Sequence, residues 1–173
     1  MIARPSRRFV LLVGGFFVVS LLAILAWRAS DYRLGFDVQF LAGEPPCLPF
    51  TLYVMRLRVE RPPERGEYVV AAMPESGLPI GARPGMRIVK VVAAEPGDHV
   101  RIAGTELFIN GFHRDRLWLA KSLPGKRPGD FDVDLTLGDD QYFLLGSTQE
   151  SFDSRYWGPV GYDAIVGFVT PLL

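Results

Sequence analysis

The sequence predicts a mainly β domain behind a single N-terminal transmembrane helix. Three observations predict it. The run from Phe9 to Trp27, FVLLVGGFFVVSLLAILAW, carries no charge. Beyond residue 30, short apolar runs alternate with Gly and Pro punctuation. No long helical period appears in that second part, so the apolar runs read as strands between turns.

The apolar run comes first. At roughly 1.5 Å of rise per residue it nearly spans a hydrocarbon layer of ~30 Å. It is long for a signal peptide, and Trp27-Arg28-Ala29-Ser30 is a poor cleavage site. An uncleaved anchor over 9–28 is expected, with a cleaved signal as the alternative. Arg4, Arg7 and Arg8 outweigh Arg28, Asp31 and Arg33, which keeps the basic tail 1–8 cytoplasmic and sends 29–173 across the membrane. Trp27 and Arg28 suit the lipid interface.

The strand candidates follow in order: Leu52–Val59, Tyr68–Ala72, Ile88–Val92, His99–Ile102, Glu106–Ile109, Tyr142–Leu145 and Ala164–Val169. Between them lie turn clusters such as Arg83-Pro84-Gly85, Glu95-Pro96-Gly97-Asp98 and Pro124-Gly125-Lys126-Arg127-Pro128-Gly129. Ile109-Asn110-Gly111-Phe112 predicts a tight hairpin, because Asn-Gly tolerates positive φ at both central positions. Strand signals are weakest over 112–132, which reads as an insertion or small lobe.

The bulk numbers narrow the function. The chain has 173 residues, with 19 Lys plus Arg against 19 Asp plus Glu. There is no global field to attract nucleic acid, and no basic-aromatic patch or phosphate loop. A single cysteine without a Cys/His cluster argues against a disulfide framework and a metal site. No cofactor motif is present. His99 and His113 lack ligand spacing and read as surface residues.

Three stretches carry candidate chemistry. Prolines surround Cys47 in Pro45-Pro46-Cys47-Leu48-Pro49, which fixes the backbone around a thiol. The thiol is either reactive or a small buried hydrophobe. In Arg87-Ile88-Val89-Lys90-Val91-Val92, alternation puts Lys90 on one face with Ile88 and Val92. Such a lysine either snorkels from an exposed edge or is desolvated, and desolvation disfavours the ammonium form. Ser151-Phe152-Asp153-Ser154-Arg155-Tyr156-Trp157 concentrates hydroxyls, a carboxylate and a guanidinium beside aromatics. On an extended chain Ser151, Asp153 and Arg155 share a side, so Asp153 and Arg155 can pair as a structural corner. The turn at Glu95–Asp98 needs no chemistry to explain it.

Together and in order, these stretches resemble the membrane-anchored type I signal peptidase family. Cys47-Leu48-Pro49 matches its nucleophile box, and Arg65-Gly66-Glu67-Tyr68-Val69-Val70 its Arg-Gly-Asp strand. Ile88-Val89-Lys90-Val91-Val92 with Pro96-Gly97-Asp98 matches its lysine box. Gly146 through Val160 matches its Gly…Ser-x-Asp-Ser-Arg-Tyr-Trp-Gly box. The short chain, the single anchor and Phe152 with Gly158-Pro159-Val160 are most similar to the TraF-type branch, whose members mature conjugative pilin and in some cases join its ends into a ring.

The resemblance implies a Ser-Lys dyad mechanism without metal or cofactor. Carried over by position, Lys90 is the general base, Ser151 orients it, and Asp153 with Arg155 braces the corner. It also implies a place in the bacterial inner membrane with the catalytic domain periplasmic. The implied partners are a precursor protein or pilin, membrane lipid, and conjugation or type IV secretion components. Three departures stand out. The nucleophile position holds Cys47. Gly146-Ser147-Thr148 replaces Gly-Asp-Asn. Pro45 sits where some members place an oxyanion-hole hydroxyl. Two other readings stay open: a general type I signal peptidase, and a catalytically inactive anchored β domain serving the secretion or conjugation machinery.

Overall fold

The computed structural model describes residues 6–37, 43, 47–75, 85–118, 126–149 and 151–173. Pro45, Pro46 and part of the 112–132 segment lie outside the described residues. The chain divides into two units, residues 1–32 and 33–173.

The first unit is helix α1, Arg7–Ala29. Ser6 caps it by accepting from the Phe9 N–H at 3.2 Å. Ser30 ends it, its backbone N–H turning back to the Ala26 and Trp27 carbonyls. An 18-residue window of α1 reaches a mean hydropathy of 2.8, and the helix is long and apolar enough to cross a membrane.

Among the described residues, the second unit holds two sheets. One has seven strands in the order β1-β2-β11-β3-β4-β9-β10. These are β1 (Tyr32–Phe36), β2 (Leu52–Arg56), β3 (Tyr68–Ala72), β4 (Arg87–Ala94), β9 (Gln141–Leu145), β10 (Val160–Gly161) and β11 (Ile165–Pro171). The smaller sheet has the order β7-β6-β5-β8. Its strands are β5 (His99–Ala103), β6 (Glu106–Ile109), β7 (Phe112–Arg116) and β8 (Val133–Thr136). A single helical turn, α2 (Ser154–Trp157), follows β9. The mainly β class read from the sequence is the class observed.

The hairpin from β6 to β7 turns at Asn110 and Gly111, with φ of 51° and 79°. Both sit in the left-handed region that an Asn-Gly pair tolerates. Among the described residues, four strands escaped the sequence pattern: β1, β7, β8 and β10. β1, β7 and β10 are edge strands of their sheets, and β8 closes the far edge of the smaller one. An edge strand with exposed faces has no reason to alternate apolar with polar residues. Phe-His-Arg-Asp-Arg of β7 is the extreme case, exposed at four of its positions.

Apolar burial ties the sheets together. Val100, Ile102, Leu107 and Ile109 of the smaller sheet cluster with Phe143 and Leu145 of β9. Val69, Ala71, Val92 and Leu144 cluster with Trp157 of α2. Leu48 and Phe50, directly after Cys47, pack with Val70 and Val169. Fully buried side chains such as Phe143 and Leu144 each contribute about 1.5–3 kcal/mol. These clusters fix the two segments that matter next, the chain after Cys47 and the turn around α2.

Candidate active site

Lys90 lies mid-sheet. β4 is flanked by β3 and β9, and Lys90 stands opposite Val69 in the antiparallel register. Ile88, Val92 and Val69 belong to one apolar cluster, so the alternation puts the lysine stem on that face. The residue is 5% exposed. The exposed-edge alternative is therefore corrected: a neighbouring strand stands on each side of β4, which the local sequence does not reveal.

The Lys90 amine donates to Ser151 Oγ at 2.6 Å, and both groups are buried. Burial pushes the lysine below its ordinary pKa. An ionised Cys47 thiol, Asp153 and Asp37 pull the other way, while Arg155 adds to the depression. Desolvation wins because an ammonium in an apolar wall loses most of its hydration.

Cys47 is half-buried. Its carbonyl accepts the Ser147 N–H at 2.7 Å. Gly146 marks where the two segments meet. A Cβ on Gly146 would overlap the Ser151 side chain and stand 3.2 Å from the Cys47 carbonyl. Glycine is required there for close approach. Cys47, Lys90 and Ser151 thus converge beside the end of β9.

The corner that carries Ser151 is built on Asp153 and Arg155. The sequence placed them on an extended chain, but Asp153 is the N-cap of α2 and accepts from the Arg155 N–H. Its carboxylate also accepts from the Gly146 N–H at 2.8 Å. Arg155 Nε and Nη2 donate to the same carboxylate at 2.8 and 2.7 Å. Nη2 reaches the carbonyls of Thr148 and Ser151 at 3.0 and 3.2 Å. Nη1 reaches Asp115 Oδ2 and the Arg116 carbonyl at 3.1 and 2.8 Å. Burial opposes the guanidinium charge, but the hydrogen bonds and charges of Asp153 and Asp115 hold its pKa above the ordinary value. Ser154 Oγ accepts from the Leu144 N–H at 3.0 Å, pinning the turn to β9.

Sequence reasoning missed Gly146, Ser154 and Asp115. Asp153 followed by a four-residue turn and Gly158 is a capped-helix signal that was available. The two histidines also have carboxylate partners. His99 meets Asp134 and His113 meets Glu106, both at 2.7 Å, on the smaller sheet. The Glu95–Asp98 turn is structural: Asp98 accepts from the Glu95 N–H, Asn110 and Arg65. No group of three or more metal-ligating side chains occurs among the described residues.

A buried amine whose charged form is disfavoured, bonded to a buried hydroxyl at 2.6 Å, belongs to the class of sites that can take a proton from a nucleophile. Residues 16–172 match the family model for signal peptidase, peptidase S26, and the chain belongs to that family. It is 34% identical over 108 residues to "Probable signal peptidase I-2" of Synechocystis sp., covering 62% of this chain and 46% of the relative. It therefore spans less than half of that relative's length. It is 32% identical over 127 residues to the plasmid transfer protein TraF of Escherichia coli, covering 65% of this chain and 72% of TraF. Among solved structures it is similar to a signal peptidase I of Enterococcus faecalis V583, at 26% identity and a TM-score of 0.41, over 64% of this chain and 98% of the other.

Proposed function

We propose that the chain is a membrane-anchored endopeptidase that matures exported precursor proteins through an acyl-enzyme on Cys47, with Lys90 as its proton acceptor. The observation that carries the reading is the buried Lys90–Ser151 hydrogen bond. It aims an amine whose charged form is disfavoured. Family membership supports the reaction class.

The thiol changes the order of events expected of a serine enzyme. A thiol is far more acidic than a hydroxyl. Lys90 can take its proton before substrate arrives, leaving a thiolate beside an ammonium. The thiolate then attacks the scissile carbonyl carbon, the C–N bond breaks, and the Lys90 ammonium returns its proton to the departing amine. The product is a thioester on Cys47. Water attacking that thioester gives a hydrolysed chain, and an amine gives a new peptide bond.

The similarity to TraF supports conjugative pilin as the substrate. Because thioesters react readily with amines, joining of pilin ends is part of this reading. The similarity to signal peptidase I-2 favours a second substrate range, exported precursors in general, with the same residues in the same roles. The three N-terminal arginines support a cytoplasmic N-terminus and a catalytic domain on the far side of the membrane.

Precursor processing in cells carrying Cys47→Ser, Cys47→Ala or Lys90→Ala tests the mechanism. Loss of processing in Cys47→Ala and Lys90→Ala is expected. Processing that survives Cys47→Ala removes the nucleophile assignment. The mass of the matured pilin distinguishes a ring from a linear product, since cyclisation releases no C-terminal carboxylate.

A further inference from the structure

Arg155 braces the corner that carries Ser151, but the guanidinium is also anchored from outside that corner. Its Nη1 leaves the α2 corner and bonds to β7 of the smaller sheet, at Asp115 Oδ2 and the Arg116 carbonyl. The Arg155 side chain is fully buried and Asp115 is 23% exposed.

A local irregularity puts that carboxylate in reach. Along the β6–β7 ladder, Ile109 pairs with Phe112 and Phe108 with His113, but Leu107 pairs with Asp115. Arg114 is the extra residue of a β-bulge. In a regular ladder Arg114 would oppose Leu107, and Asp115 would fall opposite Glu106 on the outer face. The bulge moves Asp115 onto the face of Leu107, which is completely buried in the core between the sheets. The other oxygen of Asp115 accepts from the Arg116 N–H at 2.8 Å, which fixes the carboxylate's direction.

Among the described residues, Asp153, Asp115 and the Tyr156 ring lie against the Arg155 guanidinium. Tyr156 adds a second tie to the same strand end. Its hydroxyl donates to the Trp118 carbonyl at 2.7 Å and accepts from the Trp118 N–H at 2.9 Å. The smaller sheet and the chain that leaves it after β7 therefore grip the corner at two places. One of them leads through a single side chain to the Ser151 carbonyl, and from Ser151 Oγ to Lys90.

We propose that Asp115 is a positioning residue for the acyl-transfer site: aimed by the bulge at Arg114, it holds the Arg155 guanidinium against the Ser151 carbonyl, and so keeps Ser151 on Lys90. This rests on the reading of Lys90 as the proton acceptor. It gives the smaller sheet a part in the reaction, although all of its strands lie outside the sheet that carries Lys90.

Asp115→Ala and Asp115→Asn in the full-length, membrane-anchored enzyme test the proposal. The readouts are kcat and KM on a precursor peptide, the iodoacetamide alkylation rate of Cys47, and the thermal midpoint. Asp134→Asn on the same sheet is the control, because Asp134 pairs with His99 away from the corner. Asp115→Ala is expected to lower kcat by on the order of 10- to 100-fold, as small displacements of a catalytic group do. KM should stay within about twofold, since substrate contacts remain, and Cys47 alkylation should slow in parallel. Asp115→Asn keeps the shape and one acceptor oxygen, and should fall between. It carries the test if Asp115→Ala does not accumulate.

A kcat per folded enzyme equal to wild type in both variants overturns the proposal, whatever happens to the thermal midpoint. Lys90→Ala measured alongside separates the two claims. An active Lys90→Ala removes the underlying mechanism. An inactive Lys90→Ala beside a fully active Asp115→Ala removes only the role of Asp115.

Discussion

The Lys90 amine and the Ser151 hydroxyl meet at 2.6 Å inside a protein wall that admits almost no solvent to either. The bond has direction. Lys90 donates in both of its protonation states, so the bond to Ser151 does not demand that the amine be charged. Ser151→Ala should therefore leave a lysine that is still desolvated but poorly aimed. We expect kcat to fall on the order of 10- to 100-fold with KM little changed. Steady-state kinetics on a precursor peptide decides it, and an unchanged kcat would remove Ser151 from the site.

Lys90 should be costly to the fold that holds it. Its folded-state pKa lies below the unfolded value because of burial. Below that folded pKa, the native state must hold a buried ammonium. Between the folded and unfolded values the unfolded chain binds more protons, so stability rises with pH. Lys90→Met keeps the apolar stem and discards the amine. Its thermal midpoint should exceed wild type at neutral pH, and the gap should narrow as the pH climbs toward the ordinary lysine range. A constant gap across that range would mean that Lys90 is not depressed. On the proposed role of Lys90 as proton acceptor, the same variant should alkylate more slowly at Cys47.

Gly146 supplies the close approach between the chain at Cys47 and the chain at Ser151. Gly146→Ala places a methyl group where the Ser151 side chain now stands. One of the two segments must move. Overpacking of this kind costs about 1–3 kcal/mol, and the displaced Ser151 should abolish precursor processing even in protein that still folds. Thermal melts read the first effect and a processing assay the second. Wild-type activity in Gly146→Ala would show that the convergence at this residue is incidental.

How much of this was legible in the sequence depends on the range of the contact. Strands with a buried face could be read, as with Tyr68–Ala72, buried on both faces, and Glu106–Ile109, buried on one, whose predicted bounds match β3 and β6. Alternation also put Lys90 on a face with Ile88 and Val92. Whether β4 stood at an edge or inside the sheet depended on β9, more than 50 residues downstream, and no local pattern carries that information. Asp153 and Arg155 could be paired by their spacing, but they pair across a capped turn rather than along an extended chain. Asp115 had no readable signal at all. Its role depends on a one-residue bulge in an edge strand, and edge strands lack the alternation that would expose a slip in register.

Arg155 offers the sharpest stability test. Its guanidinium bonds to two carboxylates and three carbonyls from three separate stretches of chain. Those acceptors are placed for a flat fork of five donors, which an ammonium cannot reproduce. Arg155→Lys keeps the charge but abandons most of the carbonyls, and Arg155→Met also leaves the fully buried Asp153 carboxylate without its counter-charge. Breaking a buried pair by removing one partner costs about 3–5 kcal/mol. Arg155→Met should lose that much in a denaturant titration and Arg155→Lys somewhat less. Both should lose processing, because the Ser151 carbonyl is among the acceptors released. If Arg155→Lys matched wild type in stability and activity, the charge alone would suffice, and the fork geometry drawn above would have no function.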